Sequence, residues 1–479
     1  MTMERSSKLS DAAKKSILDL HISVAETVPA YAIFLDQNNA STARTIAEVT
    51  NIPVMSKANY LRQHSLESLT RGGDITAEND IVSVSSGSSG VPFYWPRGQR
   101  QHKEAADIYF KLYKNTFAAD RVSTLLVVSF SMGSWIAGTY TAFGGIGSSE
   151  AGLKLNVVTP SIDSKEVLSV IKNLSGNYEQ VLLAGYPPFV RDLLSEGSEF
   201  GIDWAAVNVG FTFAGEMITE KWRDNTLALA SCDDIFRSAN VYGTADMGIV
   251  GHETPLSIAL KRKLLETGTA SLVSANDFSL VQYDKSRVVV EQIDGSILLT
   301  ADAGIPLVRY EIGDSGGVLE LADFPEEVVT MALEEVVSAG YDTEIFGDAF
   351  IFVEGRKDMT CSLYAVLVYP EHIKEALEEN SIQHLATGRF QMETRQDKAH
   401  NQYLYLVVEV NEGVDLNDEN GHLVRLKIDE TLQELNGEYR KLKQMVGKKA
   451  KIVVHLVERG NQRVADRSEN KQRWVKSEN

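Results

Sequence analysis

The amino-acid sequence predicts an α/β protein with a large N-terminal domain of mainly parallel sheets, a β-rich subdomain and a small α+β C-terminal domain. Three observations predict this fold class. Short apolar runs alternate with helix-periodic segments from Ile81 onward, closely spaced strands follow Ser279, and a mixed helix and strand pattern follows Arg356. Because 479 residues exceed what one hydrophobic core usually organises, we expect more than one domain. The predicted domains are 1–355, with the β-rich part at about 279–355, and 356–479.

The first part of the chain, from Leu9 to about Arg71, is predicted to be helical. Its segment KANYLRQHSLESL carries apolar residues at helical spacing. From Ile81 onward, runs such as QVLLAGYP and SANVYG have the length of buried strands, and segments such as SIDSKEVLSVIKNLSG between them have helical periodicity. This alternation is typical of a parallel sheet, whose ligands bind at the carboxyl ends of the strands.

The pattern changes twice in the second half of the chain. SRVVVEQID and SILLT are joined at Asp294-Gly295, which is a strong hairpin signal. After Arg356, the helix LVYPEHIKEALEE, two strands, a long amphipathic helix over LVRLKIDETLQELNGEYRKLKQMVG and the strand KIVVHLVE predict an α+β unit of ordinary domain size.

Composition restricts the class of protein. The net charge of −19 argues against a general nucleic-acid or anionic-membrane binder, since both attract basic surfaces. The two cysteines, Cys232 and Cys361, predict neither a disulfide framework nor a zinc site, and with the polar N-terminus they favour a cytoplasmic protein. The uncharged stretch 122–149 is rich in Ser, Thr and Gly, so we interpret it as a buried strand, a turn and a buried helix rather than a membrane span.

A serine- and glycine-rich loop follows the strand at Ile81. Its residues are Ser85, Ser86, Gly87, Ser88, Ser89 and Gly90. Such a loop is often only a turn or linker. It also suits an anion, because glycines let the backbone approach closely and hydroxyls add hydrogen-bond donors.

Three further stretches carry side chains suited to ligand binding. They are NVYGTAD at Asn240–Asp246, PLVRYEIGD at Pro306–Asp314 and EGRKD at Glu354–Asp358. Taken singly, each is explained as well by a turn or a solvated linker. The order and spacing of the three stretches distinguish a set of turns and linkers from a set of ligand-binding motifs.

In that order, the stretches resemble the motifs of the adenylate-forming superfamily, and most closely those of its phenylacetate-CoA ligase-like branch. The serine loop is similar to SSGTTGKP, VYGTAD to YGxTE, PLVRYEIGD to PLIRYRTGD, and GRKDMTCSLYAVLVYPEHI to GRxDDMIKVRGVNVYPEEI. FAGE, IPVMSKANYL and the tail segment RSENKQR also match, so the resemblance covers most of the chain. It implies an acyl-CoA synthetase-like fold in which the C-terminal domain is a mobile lid.

The resemblance implies that ATP and Mg²⁺ are used to convert a carboxylic acid into an acyl-adenylate with release of pyrophosphate. Transfer to CoA, or to another thiol or an amine, would follow. The implied catalytic residues are Lys471, Asp246 and Arg356, with Asp246 as the metal ligand and Asp358 as the hinge. The implied cofactor-binding residues are the six residues of the serine loop, Gly215, Glu216, Tyr242, Gly243, Asp314 and Arg309.

The acid is predicted to be aryl or otherwise apolar. Trp135, Tyr140 and Phe211 lie where relatives build the acyl pocket, although aromatic residues on buried elements are more often core. The expected partners are this small-molecule acid and a CoA, carrier or amine acceptor, without nucleic acid or membrane. Related ligands are often dimers, which makes a homodimer one expectation.

The sequence also departs from the family pattern. Val91 stands where relatives carry a loop lysine, and Met359, Ser362 and Ala365 replace other motif residues after the hinge. The adenylating half-reaction is therefore better supported than the transfer. A degenerate member that binds nucleotide or acyl-adenylate without turnover is the alternative. A P-loop kinase is disfavoured because the serine loop lacks the Gly-Lys-Ser/Thr ending.

Overall fold

The computed structural model describes residues 9–84, 93–134, 136–269, 273, 278–356, 361–364, 366–397, 402–446, 451–461 and 463–464. The chain forms two compact units. The first comprises Met1–Met217, Leu229–Val273 and Ser279–Glu354, and the second comprises Ile218–Ala228, Ser274–Phe278 and Gly355–Asn479. The domain boundary predicted after residue 355 stays a prediction.

Two helices open the first unit, α1 (Asp11–Thr27) and α2 (Pro29–Gln37). The Ser10 hydroxyl caps α1 by accepting a hydrogen bond from the Ala13 amide at 3.2 Å. No single helix among the described residues is long and apolar enough to span a bilayer; α1 and α2 meet those criteria only as a pair, and they are bent by 106°.

The predicted helix over KANYLRQHSLESL is wrong. The described backbone has turns there and one short 3-10 helix, Leu61–Gln63. The Ser56 amide donates to the Asn59 side chain at 2.7 Å, and the Asn59 amide donates to the Ser56 hydroxyl at 3.1 Å. Local side-chain bonds of this kind compete with helix formation, which explains why apolar spacing alone was misleading.

A two-stranded antiparallel hairpin follows, built from β1 (Ile81–Val84) and β2 (Tyr94–Arg97). Ser83 pairs with Trp95, and Ile81 pairs with Arg97. Because side chains alternate between the faces of a strand, Ser83, Trp95 and Arg97 share one face. All three are buried.

The centre of the first unit is an 11-stranded mixed sheet. Its strands are β3 (Thr124–Ser129), β4 (Leu155–Val158), β5 (Gln180–Gly185), β6 (Val209–Ala214), β7 (Ser238–Thr244), β8 (Gly248–His252), β9 (Ser279–Tyr283), β10 (Val289–Ile293), β11 (Ser296–Ala301), β12 (Leu307–Glu320) and β13 (Ala349–Arg356). Their order across the sheet is β10-β11-β12-β13-β9-β8-β7-β6-β5-β3-β4.

The predicted parallel arrangement holds for one side of this sheet. The neighbours among β3 to β7 pair in parallel, whereas β7–β8, β8–β9, β9–β13, β10–β11 and β11–β12 pair antiparallel. The β-rich strands after Ser279 extend the same sheet and do not form a separate one. The predicted hairpin is confirmed: Asp294 and Gly295 have φ values of 48° and 73° between β10 and β11, as a type I′ turn requires.

Helices cover this sheet, and two glycines let the helix Ile136–Glu150 pack unusually close to its neighbours. They are α3 (Gln99–Asn115), α4 (Ile136–Glu150), α5 (Ser164–Leu174), α6 (Pro187–Glu199), α8 (Pro255–Glu266) and α9 (Glu326–Ser338), while α7 (Glu220–Leu229) lies mostly in the second unit. A Cβ added to Gly144 would lie 2.1 Å from the Tyr109 ring, and one added to Gly145 would lie 2.7 Å from Leu126. Within stretch 122–149, β3 and α4 are thus the predicted strand and helix, and the face of α4 that carries Gly144 and Gly145 is buried.

The second unit contains helices and small sheets. Besides α7 they are β14 (Cys361–Leu363), β15 (Val366–Val368), α10 (Pro370–Leu377), β16 (Ala386–Gln396), β17 (Gln402–Val410), α11 (Asp418–Leu435), α12 (Gly437–Val446) and β18 (Lys451–Val457). The single long helix predicted here is interrupted at Asn436, which has ψ 99° and caps α12 by accepting from the Tyr439 amide at 2.9 Å.

Helix α7 packs on α10 and the turn after it. Lys221 Nζ lies 2.5 Å from Glu379 Oε1 and 3.6 Å from Glu375 Oε1. Asn225 Nδ2 donates to Glu378 Oε2 at 2.9 Å, and Glu378 is only 2% exposed. These polar contacts tie an internal segment of the chain to its C-terminal part.

Candidate active site

The centre of the candidate site is the segment that leaves β7 and returns through β8. The pairing of β7 with β8 has a register shift between Tyr242 and Gly243, and Asp246 lies in the turn that follows β7. Asp246 is 3% exposed although its side chain carries a charge. A buried carboxylate of this kind requires partners.

Tyr310 and Lys57 are these partners. The Tyr310 hydroxyl donates to Asp246 Oδ2 at 2.5 Å, and Lys57 Nζ lies 3.1 Å from the same oxygen. The Lys57 segment is held beside β12 by hydrogen bonds of Met55, whose amide donates to the Arg309 carbonyl at 3.1 Å and whose carbonyl accepts from the Glu311 amide at 2.9 Å. Asp246 thus faces a hydroxyl donor and a cation supplied by distant parts of the sequence.

A second carboxylate lies on β12. The Tyr242 hydroxyl donates to Asp314 Oδ2 at 2.5 Å, and Asp314 is 7% exposed. Tyr310 and Asp314 belong to the same strand, while Tyr242 and Asp246 belong to the same strand-and-turn segment. Two tyrosine–aspartate hydrogen bonds therefore connect β7 and its turn with β12. In one the tyrosine donor belongs to β7, and in the other it belongs to β12.

Glu216 lies beyond the carboxyl end of the neighbouring strand β6. It follows Gly215, whose φ of 97° turns the chain out of the sheet. Asn240 Nδ2 donates to the Glu216 carbonyl at 3.0 Å, and the Tyr186 hydroxyl donates to the Glu216 carboxylate. The edge of β6 therefore presents a fixed polar loop next to β7.

The buried guanidinium of Arg97 lies beside this region. Its Nε donates to the Ser83 hydroxyl at 3.3 Å, one terminal nitrogen donates to the Ala245 carbonyl, and its centre lies 5.4 Å from the centre of the Tyr140 ring. Burial lowers the pKa of Arg97, and Tyr140 and Asp246 oppose this effect. An arginine remains charged under these conditions, so a cation lies within the protein at Ala245.

These residues combine chemical properties that suit a nucleotide and a metal ion. Asp246 and Asp314 are hard oxygen donors and hydrogen-bond acceptors, Tyr242 supplies an aromatic ring, and Lys57 and Arg97 supply positive charge. They gather near the carboxyl ends of parallel strands, which is where α/β sheets bind ligands.

Comparison with solved structures identifies the fold. The chain is similar to 2-hydroxyisobutyryl-CoA ligase in its postadenylation state with 2-HIB-AMP, at 15% identity and a TM-score of 0.69, over 99% of this chain and 91% of that one. An open form of that ligase with 2-HIB-AMP and CoA gives a TM-score of 0.57 at 14% identity, over 98% and 91% of the two chains. Its thioesterification form gives 0.53 at 16% identity over the same shares.

This is the fold of the adenylate-forming ligases. No protein-family model matches the chain, and no curated protein matches it in sequence. At the identities found for the solved structures, similarity establishes the adenylate-forming fold and leaves activity to be argued from the residues. The finer prediction, a phenylacetate-CoA ligase-like branch, stays a prediction.

Several of the predicted site residues come together in this adenylate-forming fold. Tyr242, Gly243, Asp246 and Asp314 form the β7–β12 cluster, and Gly215 with Glu216 lies at the adjacent strand end. Their assignment to cofactor binding stays a prediction, because the structure gives their placement and not their ligand.

Other predicted residues lie outside the described part of the chain. They are Ser85, Ser86, Gly87, Ser88, Ser89, Gly90, Trp135, Asp358 and Lys471. Arg356 is the last residue of β13, and its side chain also lies outside the described part.

Arg309 is placed among protein acceptors. Its Nε lies 3.2 Å from both oxygens of Glu291, and one terminal nitrogen donates to the carbonyls of Ile52 at 2.6 Å and Thr50 at 3.0 Å. It is 4% exposed and has a φ of 50°. These contacts give Arg309 a role in anchoring residues 50–52, and its predicted contact with nucleotide stays a prediction.

The two described residues predicted for the acyl pocket differ in their surroundings. Phe211 is fully buried, and its ring stacks on Phe213 at 5.6 Å with an angle of 5°, as expected for core side chains two residues apart on a strand. Tyr140 is 3% exposed and lies against Arg97. The structure therefore places Phe211 in the core and Tyr140 beside a buried charge.

Sequence reasoning missed four polar residues of the cluster: Lys57, Arg97, Tyr186 and Tyr310. Lys57 and Tyr310 lie inside stretches that were quoted for their resemblance, IPVMSKANYL and PLVRYEIGD. Arg97 lies seven residues after Gly90 at the end of β2. A sequence signal was therefore available for Lys57 and Tyr310, whereas Arg97 and Tyr186 lie outside the quoted motifs.

The cluster can accommodate a magnesium ion through a single protein carboxylate. Among the described residues, no group of three or more His, Cys, Asp or Glu could form a metal cage. Mg²⁺ commonly needs only one or two carboxylates when phosphates and water complete its shell. Asp246 Oδ2 is bound by Tyr310 and Lys57, and Oδ1 has no hydrogen-bond partner among the described residues. The donor set therefore fits one Mg²⁺ ligand.

Proposed function

We propose that this protein uses ATP to convert a carboxylic acid into an acyl-adenylate and then transfers the acyl group to CoA or to another thiol or amine. The observation that carries the proposal is the pair of tyrosine–aspartate contacts between β7 and β12, Tyr242–Asp314 and Tyr310–Asp246, in a chain with the adenylate-forming fold. They lie where the predicted nucleotide-binding motifs fall in the sequence.

The nucleoside would be bound by Tyr242, Asp314 and the loop at Glu216. A carboxylate suits ribose because both ribose hydroxyls are donors and Asp314 supplies acceptors. The Tyr242 ring would stack on adenine while its hydroxyl keeps Asp314 in place at 2.5 Å. Gly215 and Glu216 would lie along the edge of the base, fixed by Asn240.

Asp246 and Lys57 would act on the phosphate side. A carboxylate oxygen of the acid attacks the α-phosphorus, the bond from this phosphorus to the leaving oxygen breaks, and pyrophosphate leaves. Mg²⁺, held by Asp246, would neutralise charge on the phosphates. Lys57 Nζ lies 3.1 Å from Asp246 and would supply a second positive charge beside the phosphates. The serine loop itself supplies no such charge at Val91, where relatives carry a lysine.

The serine loop and the tail complete the proposed site. Ser85 to Gly90 would hold the β- and γ-phosphates through hydroxyl and backbone donors. Lys471 would bridge the acid carboxylate and the α-phosphate, Arg356 would contact ribose or phosphate, and Asp358 would be the hinge of the C-terminal lid. The acid is proposed to be aryl or otherwise apolar, as in the phenylacetate-CoA ligase-like branch.

ATP–pyrophosphate exchange tests the proposal. Labelled pyrophosphate, ATP and a panel of aryl and aliphatic acids are incubated with the full chain, with and without Mg²⁺. We expect exchange with at least one acid, dependent on Mg²⁺, and a loss of at least 100-fold in Lys471→Ala, consistent with removing a group that stabilises the transition state. Lys476→Ala is the matched control, because it removes the same charge five residues further along the tail. Equal exchange in both variants would refute the role of Lys471.

The second candidate is a non-catalytic relative that binds nucleotide or acyl-adenylate. The sequence departures at Val91, Met359, Ser362 and Ala365 favour it. Calorimetry with ATP distinguishes the two candidates: tight binding without exchange for any acid supports the non-catalytic role, whereas exchange with one acid excludes it.

A further inference from the structure

The backbone around Arg97, at the end of β2, is closely packed on both sides. A Cβ built on Gly98 would overlap the carbonyl oxygen of Glu78. A Cβ built on Gly304 would overlap the carbonyl oxygen of Pro96, the residue before Arg97. Only glycine allows another backbone to approach so closely. The Arg97 side chain therefore extends from a backbone that is held in place.

This side chain reaches the turn that carries Asp246. One terminal nitrogen donates to the carbonyl of Ala245, the residue directly before Asp246. A Cβ built on Gly248, the first residue of β8, would lie 3.5 Å from the other terminal nitrogen, which is ordinary van der Waals contact. On the hairpin side, Nε donates to the Ser83 hydroxyl at 3.3 Å. The guanidinium of Arg97 therefore lies against both ends of the turn between β7 and β8 and connects this turn with the β1–β2 hairpin.

The charge of Arg97 is compensated in part by the residue that follows its backbone partner. Arg97 is 1% exposed, and a buried charge requires nearby groups that favour the charged form. Burial lowers the pKa of Arg97, whereas Tyr140 and the negative charge of Asp246 raise it. A neutral donor would bond to the Ala245 carbonyl without the unfavourable burial of a charge. The use of an arginine here therefore points to Asp246 as a second partner, beside Ala245.

Arg97 acts on a different part of Asp246 than Tyr310 and Lys57 do. Those two residues contact the carboxylate oxygen Oδ2. Arg97 bonds instead to the backbone that enters the turn at Ala245. A carboxylate moves with its Cα, so its position depends on the backbone contact as well as on the side-chain contacts. Groups that orient a metal ligand in this way typically change metal affinity about 10- to 100-fold when they are removed.

We propose that Arg97 is a positioning residue for Asp246: it holds the turn 245–247 so that the carboxylate meets the Mg²⁺ that accompanies ATP. This inference rests on the proposed function, which makes Asp246 the metal ligand. It adds to the magnesium site a residue from outside the motifs that predicted nucleotide binding. The role requires no contact between Arg97 and the metal, the phosphates or the acid.

The dependence of ATP affinity on Mg²⁺ tests this role without requiring turnover. Calorimetric titration of the full chain gives the Kd of ATP in EDTA and the Kd in excess Mg²⁺, and the ratio of the first to the second measures how much the metal strengthens binding. We expect a ratio well above one for the wild-type protein. Arg97→Met removes the hydrogen bond to the turn, so the ratio is expected to fall roughly tenfold, as for the loss of a group that orients a metal ligand.

The direction of the change distinguishes positioning from two simpler roles of Arg97. Free ATP carries more negative charge than its magnesium complex. If Arg97 only attracted the phosphates, its loss would weaken the binding of free ATP more than that of the complex and would raise the ratio. If Arg97 only stabilised the fold, the ratio in the folded variant would stay unchanged. Displacement of the metal ligand lowers the ratio, because it weakens only the binding that depends on the metal.

A second variant and a control complete the set. Arg97→Lys keeps the charge but not the planar guanidinium that donates to Ser83 and Ala245 at once, so the ratio is expected to fall about threefold, as for one lost hydrogen bond. This variant keeps the test valid if Arg97→Met does not fold. Arg237→Met is the control, because Arg237 directly precedes β7 at the other end of the strand and donates to Gln180 Oε1 at 2.8 Å. It is expected to lose stability and to keep the wild-type ratio.

Three results would overturn the proposal. The first is a wild-type protein whose ATP affinity does not depend on Mg²⁺, absence of ATP binding included. The second is an unchanged or raised ratio in the folded Arg97 variants. The third is an equal fall of the ratio in Arg237→Met. Failure of the proposed function has a separate signature, since pyrophosphate exchange would then be absent with every acid while the ratio still falls in Arg97→Met.

Discussion

The Tyr242 hydroxyl lies 2.5 Å from Asp314 Oδ2 and joins a residue at the end of β7 to one in the middle of β12. The two residues are 72 positions apart in the sequence, yet both lie in motifs that predicted nucleotide binding. The contact fixes the carboxylate that would bind ribose relative to the ring that would stack on adenine.

Tyr242→Phe should separate these two roles. The ring remains, so stacking is retained, but Asp314 loses a donor that orients it. We expect ATP affinity to fall about three- to tenfold, which corresponds to one hydrogen bond of roughly 1 kcal/mol. Calorimetry with ATP measures this change. Tyr178→Phe is a suitable control because it removes a tyrosine hydroxyl bonded to Asn156 at 3.2 Å, outside the site; an equal loss in both variants would contradict the role of Tyr242.

Lys57→Met should weaken ATP binding. Its ammonium group is the cation 3.1 Å from Asp246, and methionine keeps the apolar part of the side chain without the charge. We expect a five- to tenfold rise in the Kd for Mg·ATP that shrinks as salt is added, because charge attraction is screened. Lys111→Met removes a lysine whose side chain is 62% exposed and serves as control. An unchanged Kd would show that Lys57 forms an ion pair within the folded protein and does not contribute to ATP binding.

Arg309→Met should affect stability more than ATP binding. The substitution leaves the buried Glu291 carboxylate without its ion pair and removes the hydrogen bonds to the carbonyls of residues 50 and 52. Breaking a buried pair by removing one partner costs about 3–5 kcal/mol. Urea unfolding measures the loss. If the variant keeps its stability and loses ATP affinity, Arg309 binds nucleotide as the sequence resemblance implied.

The buried His21 predicts a loss of stability in acid. Burial, with a smaller contribution from Arg44, lowers the pKa of His21 to about 4 from its ordinary value of 6.5. Its Nε2 accepts from the Ala43 amide at 2.9 Å, and Nδ1 lies 2.7 Å from the Tyr31 hydroxyl, so the neutral ring is the form that fits. His21 binds a proton more readily in the unfolded chain than in the folded one. Its contribution to the free energy of unfolding is therefore fully present above pH 6.5 and is lost as the pH decreases towards 4.

Unfolding by urea at pH 7.5 and pH 5 measures this effect. The wild-type protein should lose on the order of 1–3 kcal/mol from this group between the two values. His21→Gln keeps an acceptor for the Ala43 amide and cannot titrate, so the pH dependence should decrease. His422→Gln alters an exposed histidine and should leave it unchanged. An identical pH dependence in wild type and His21→Gln would contradict the assignment.

Sequence reasoning predicted the strands well because their signal is local. Apolar runs such as QVLLAGYP became β5, and Asp294-Gly295 became the turn between β10 and β11. The pairing of strands is not local. Nothing in the run SLVQYD indicates that β9 pairs with both β8 and β13, and so joins the β-rich strands to the parallel ones.

The site shows the same distinction between local and distant signals. Tyr242, Asp246 and Asp314 were predicted because they lie inside recognisable motifs. Lys57 is brought to the same region by the contacts of Met55 with β12. Arg97 is brought there by the hairpin face that it shares with Ser83. Such contacts depend on tertiary packing, which motif matching does not contain.

The segment Ile218–Ala228 has a consequence for work with fragments. It packs with the C-terminal residues, although more than 120 residues separate it from Gly355. A recombinant fragment that starts at Arg356 would lack Lys221 and Asn225, so Glu375 and Glu379 would lose a shared cation and the buried Glu378 would lose a hydrogen bond. Splitting the gene at the boundary suggested by the sequence would thus expose acidic groups that the intact chain covers, and a fragment prepared for crystallisation or partner screening should carry residues 218–228 fused through a linker.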